Sequence, residues 1–97
     1  MIDFEWDLDK EKKNIRKHHV AFNETATVLK DIMGITIYDP DHSDDEDRFI
    51  TIGAAITGRL QMVSHTYKND ETRIISAREL TRKEREAYEN EIQRRKS

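Results

Sequence analysis

RFITIGAAITGRLQMVSHTYKNDETRIISAR, residues 48–78, decides the fold. It is rich in β-branched and aromatic residues, which suit a pleated, half-buried surface. Thr57-Gly58 and Asn69-Asp70 interrupt it twice with turn chemistry. The pattern predicts strands near Arg48–Ile56, Leu60–Lys68 and Arg73–Arg78. Both turns are too short for a crossover helix, so the three strands form an antiparallel meander. Upstream, Ile35–Tyr38 reads as one more strand, closed by Asp39-Pro40, and the charged run 41–47 is a loop.

The flanks read as helices. Asp7 is placed to cap a helix from Leu8 to about His18, on which only Leu8 and Ile15 share an apolar face. Asn23 is placed to cap a second, whose apolar residues Phe22, Ala26, Leu29 and Met33 recur at helical spacing before Gly34 ends it. Thr81 and Glu84 make a capping box, opening a last helix to about Arg94 with a thin stripe of Leu80, Ala87, Tyr88 and Ile92. Phe4-Glu5-Trp6 is a short strand candidate. The expectation is a single α+β domain over residues 1–97. A central antiparallel sheet of about four strands carries two N-terminal helices and one C-terminal helix.

With 97 residues, 35% apolar and 38% charged, the core must be thin. There is no cysteine, so disulfides and thiolate metal sites are excluded. No secretory signal and no membrane-length apolar run is present, so a cytoplasmic protein is expected. The net charge of −3 hides a division: residues 1–47 hold 6 Lys+Arg against 13 Asp+Glu, and residues 48–97 hold 11 against 7. An acidic half and a basic half give one molecule two faces for different partners. Asp39, Asp41, His42, Asp44, Asp45, Glu46 and Asp47 are a dense set of hard ligands. They lack the glycine of an EF-hand loop, and no H-E-x-x-H occurs, so neither metal nor other cofactor is expected.

Several phrases recur in order along the chain: F-E-W-D at 4–7, K-H-H-V-A-F at 17–22, D-x-D-H-S at 39–43, E-D-R at 46–48, I-G at 52–53, R-I-I-S-A-R at 73–78 and T-R-K-E-R-E-A-Y at 81–88. Together they resemble the BrnT toxins. The resemblance implies a RelE-like fold, ribonuclease toxicity in a type II toxin–antitoxin pair, and a DNA-binding, BrnA-like antitoxin through which alone operator DNA is contacted. His19 stands where such toxins usually carry glycine, the residue that takes a left-handed conformation at a helix end without strain.

RNA brings its own nucleophile, the 2′-hydroxyl. Cleavage without metal needs a base for that proton, cations for the phosphate, and a proton for the departing 5′-oxygen. Arg78 leads the candidates for the clamp, with Arg82 and, less directly, Arg48. His65 and His18 are acid–base candidates with neutral-range reference pKa values, and Glu46 is a candidate base. Lys17, Arg73 and Arg85 are candidate RNA contacts, and Tyr67 and Tyr88 candidate base-stacking residues. If His65, Tyr67 and Arg78 share a sheet face they make one polar patch. Each also has a plain reading: solvated charge for the arginines, lysine and Glu46, a buried bonded imidazole for His65, a helix cap for His18, core for the tyrosines. Two other functions stay open, a non-catalytic nucleic-acid-binding module and a protein-interaction module.

Overall fold

The computed structural model describes residues 3–96, with β1 (Asp3–Trp6), α1 (Leu8–His18), α2 (Phe22–Val28), β2 (Ile35–Tyr38), β3 (Arg48–Ala54), β4 (Leu60–Lys68), β5 (Glu71–Glu79) and α3 (Arg82–Lys96). The strands form one sheet in the order β1-β5-β4-β3-β2. β2 to β5 are the antiparallel meander expected from residues 35–78. β1 adds a fifth strand, parallel to β5, which makes the sheet mixed. Asn69 and Asp70 both take positive φ, 53° and 65°, the backbone twist that suits a two-residue hairpin turn.

Register settles which side chains share a face. Met62 pairs with Arg78 and Ser64 with Ser76. The register then shifts, so that His65 pairs with Ile74 and Ile75 is the extra residue of a bulge. Thr51, Val63, His65, Ile74 and Ala77 therefore face one side, and Ile50, Met62, Ser64, Ser76 and Arg78 the other. The core lies on the first side: Val20, Phe22, Val28, Val63, Ile74 and Ala77 are buried together, with Trp6 edge-on to Phe22 at 6.1 Å.

The helix ends follow their local chemistry. Asp7 Oδ1 accepts from the backbone N–H groups of Asp9 and Lys10, at 2.8 and 3.1 Å. His19 closes α1 in the left-handed conformation, φ 59°, its N–H donating to the Ile15 carbonyl. Thr81 and Glu84 form the expected reciprocal cap. Two expectations are corrected. α1 does not pack through Leu8 and Ile15, which stay exposed; its buried residue is Asn14. α2 is only seven residues long, starts after Ala21 rather than at Asn23, and buries Phe22, Thr25 and Val28. Asp31 ends that segment early: its carboxylate accepts from the N–H groups of Met33 and Ala54 and ties the turn to β3.

One ion-pair network locks the β3–β4 turn to the rest. Arg59 donates two hydrogen bonds to Glu24 of α2, another to Glu79 and a fourth to the His19 carbonyl. Both partners are mostly covered, and Arg59 with Thr57 holds the Glu24 carboxyl below its ordinary pKa. Removing one member leaves the other covered and unpaired, so Arg59→Ala is expected to cost about 2 kcal/mol in urea denaturation. Because the Glu24 pKa is depressed on folding, its contribution is complete above the unfolded value near 4.5 and is lost as pH falls through the folded one. In the Arg59→Ala chain, the decline of stability below pH 4.5 should be visibly shallower. An unchanged slope removes Glu24 from the acid response.

Candidate active site

The end of α1 meets the open face of the sheet beside β5. Lys17, His18, Ile50, Met62, Ser64, Ser76, Ala77 and Arg78 line a concavity of about 280 Å³ there. Three observations explain why these residues meet. β1 pairs with the first half of β5 only, from Glu71 to Ile74. Beyond it the edge of β5 is free, and Asn14 fills the role of a strand partner: its Nδ2 donates to the Ala77 carbonyl at 2.9 Å and its Oδ1 accepts from the Ala77 N–H at 3.0 Å. Asn14 Nδ2 also donates to Val20 O, fixing the turn after α1. The left-handed His19 then ends the helix with Lys17 and His18 at the rim.

Arg78 is half-buried and held in a fixed pose. Both of its terminal nitrogens donate to the Glu84 carboxylate, at 2.7 and 2.9 Å, and one also donates to the Glu79 carbonyl. The pairing takes the Glu84 carboxyl down to about 2 and raises the Arg78 guanidinium further. The guanidinium is thus pre-aimed at the entry to α3. His18 is shifted below its ordinary value, first by burial and then by the charges of Lys17 and Arg78. Burial and the neighbouring cations thus favour the uncharged imidazole at neutral pH. A neutral imidazole, an ammonium, a guanidinium and two serine hydroxyls can accept a proton and hold an oxyanion. Among the described residues that line the hollow there is no carboxylate, and the Glu84 carboxylate reaches Arg78 from outside it. Among the described residues, no three His, Asp or Glu are grouped to hold a metal ion.

The other candidates lie elsewhere. His65 and Tyr67 do not share a face with Arg78, because Arg78 is opposite Met62 and His65 falls on the alternate side. His65 is 1% exposed, bonded through Nε2 to Thr51 Oγ1 at 2.7 Å, and burial takes its pKa down to about 4. Tyr67 packs on Phe49 and His65 on that same side. Tyr88 is buried, under α3 near Leu60 and Ile92, and presents no ring for stacking. Arg82 is 93% exposed and paired with Glu86, so it does not join Arg78 in a clamp. Arg85 borders a separate hollow with Thr57, Arg59 and Glu79. Arg48 and Arg73 do share the open face, opposite Thr66, two rows along the strands from Arg78, roughly 13 Å away. Arg73 is held by Glu5 at 2.9 Å, and Arg48 has Glu46 within 3.8 Å in the exposed acidic loop.

Sequence reasoning missed Asn14, Ser64 and Ser76. The serines alternate with apolar residues as any solvent-facing strand position does. Asn14 had a signal: Glu11, Asn14 and His18 fall on one helix face, and the structure turns all three inward, Glu11 accepting from the Phe22 N–H.

The Brucella abortus ribonuclease toxin BrnT, known from a crystal structure, superposes with a TM-score of 0.63 at 21% identity, over 84% of this chain and 100% of that one. No curated protein sequence matches the chain. Among the described residues, no helix is long and apolar enough to cross a membrane. The family model for the ribonuclease toxin BrnT of type II toxin–antitoxin systems matches residues 6–84, most of the chain and every residue of the hollow, and the chain belongs to that family.

Proposed function

We propose that the hollow between α1 and β5 is where this toxin cuts RNA, without a metal ion, and that Lys17, His18 and Arg78 carry the reaction. The observation that supports it is their convergence: a neutral imidazole, an ammonium and a fixed guanidinium from distant parts of the sequence line one concavity. In this reading His18 takes the 2′-hydroxyl proton. The freed oxygen attacks phosphorus, and the bond to the 5′-oxygen breaks. The products are a 2′,3′-cyclic phosphate and a 5′-hydroxyl, whose proton comes from solvent at the open mouth. Arg78 and Lys17 hold the charge that builds on the phosphoryl oxygens, and the hydroxyls of Ser64 and Ser76 orient the sugar-phosphate. His65, bonded and buried, supports the sheet, and Glu46 stays with the acidic loop.

A type II toxin has an antitoxin partner. Here it is read as a BrnA-like protein that carries the DNA contacts, since the acidic loop 41–47 repels a DNA backbone from the toxin itself. Two measurements test the reaction. His18→Ala is expected to lower cleavage of an RNA oligonucleotide by about a hundredfold or more, and EDTA to leave the wild-type rate unchanged. Because the His18 pKa is depressed, the base is already free at neutral pH, and the acid limb of the rate profile should fall below pH 6.5. Full activity of His18→Ala, or loss of activity in EDTA, overturns the assignment.

A further inference from the structure

The hollow is open at its rim, and a chain longer than the cut dinucleotide must continue across the surface. Three of the four directions out of it are unfavourable for a polyanion. Toward β1 the open face carries Asp3, Glu5 and Glu71, with Arg73 already held by Glu5. Glu5 lies close enough to Glu71 to raise its pKa. Toward β2 and β3 stands the acidic loop 41–47. Toward α3, Glu84 occupies Arg78 and Glu86 pairs with Arg82.

The fourth direction is α1. Lys17 lines the hollow; Lys13 and Lys10 stand four and seven residues before it, on the same helix face. The stripe runs about 10 Å along the helix axis at 1.5 Å per residue. All three side chains belong to exposed residues, and among the described residues none of them makes an ion pair. Glu11 is turned inward to Phe22; two acids border the start of the stripe, Asp9 four residues before Lys13 and Asp7 three before Lys10, and the Asp7 carboxylate is already engaged by the N–H groups of Lys10 and Asp9. On the open face Arg73 and Arg78 are hydrogen-bonded to carboxylates and Arg48 stands within 3.8 Å of one, while the lysines of α1 are exposed and make no ion pair among the described residues.

We propose that the RNA strand leaves the hollow along α1, its phosphates on Lys13 and then Lys10. This deepens the reading of the hollow as the cleavage site and rests on it. The lysines act as a backbone track: they add affinity for longer RNA, carry no base preference, and leave the chemical step alone.

The test compares wild type with the Lys10→Gln/Lys13→Gln double variant on two substrates, a dinucleotide and an oligoribonucleotide of about a dozen residues, over a range of salt. On the long substrate, kcat/KM of the variant should fall about fivefold to tenfold at low salt, through KM. Its log–log salt slope should become shallower by about 1.4, the value for two contacts to a single strand. On the dinucleotide the two proteins should be equal. Equal losses on both substrates, or an unaltered slope on the long one, overturn the track. If wild type cuts neither substrate, the cleavage reading fails instead. Fluorescence anisotropy with the same long RNA then decides the track alone: a shallower salt slope of binding keeps it, and an unchanged one removes it, including the case in which the lysines serve an acidic protein partner.

Discussion

Arg78→Ala is expected to lower RNA cleavage by about two to three orders of magnitude, the effect of deleting one fixed donor from a developing oxyanion. Among the described residues that line the hollow, Arg78 is the one guanidinium, the group that grips phosphate with two bonds. It is permanently charged, and its pose is set before substrate arrives by Glu84 and the Glu79 carbonyl. That pose also makes Arg78 a structural link between β5 and the start of α3, so a loss of activity alone would not identify its role. Glu84→Gln separates the two. Glutamine keeps the capping contact to the Thr81 N–H but gives up the ion pair. If Arg78 merely anchors α3, Glu84→Gln should damage cleavage about as much as Arg78→Ala. If Arg78 clamps phosphate, Glu84→Gln removes a competitor for the guanidinium, and cleavage should hold or rise. The pair is about one-third exposed, so its loss in either variant should leave the chain folded, as circular dichroism would verify. A folded Arg78→Ala protein that cuts RNA at the wild-type rate removes the arginine from the mechanism.

The meander of residues 35–78 was legible because turn residues and alternating side chains are local properties, and the same holds for the caps at Asp7 and Thr81. The parallel pairing of Phe4-Glu5-Trp6 was not legible. A three-residue alternation says that a strand exists, but its partner lies almost seventy residues away, and the choice of edge depends on how α1 and α2 turn back. The faces of β4 and β5 were not legible either. Val63, His65 and Tyr67 share a side on any reading, but placing Arg78 with them needs the parity of the register. Of the candidate site, Arg78, His18 and Lys17 came from the motif phrases at 17–22 and 73–78, and the structure brings those phrases together. Arg82, Arg85 and Tyr88 belong to a motif phrase too, the one at 81–88, but helix periodicity spreads them over three directions, one buried and two toward solvent.

The residue on which that meeting depends is Asn14, and its replacement should be the most damaging single change to stability. Its amide satisfies three backbone groups at once: the Ala77 N–H, the Ala77 carbonyl and the Val20 carbonyl. The side chain is 5% exposed, and Ala77 and Val20 are buried beside it, so water has little access to groups left behind. Asn14→Leu keeps the volume and abandons all three bonds. At about 1 kcal/mol or more for each orphaned group, the loss is about 3 kcal/mol or more. For a domain of this size that corresponds to a fall in Tm of roughly 12–20 °C. Asn14→Asp should be worse than leucine, because a carboxylate keeps the acceptor for the Ala77 N–H but faces two carbonyl oxygens with no hydrogen to offer. A polar helix with exposed Leu8 and Ile15 has little else to hold it against β5, so the damage should be local as well as global. Hydrogen exchange should quicken along α1 before the sheet opens. At a temperature where the variant is still folded, cleavage should fall further than the folded fraction does, because Lys17 and His18 are no longer carried to Arg78. A Tm within about 3 °C of wild type for Asn14→Leu would mean that α1 is held by something other than this amide, and the account of how the hollow is assembled would fall with it.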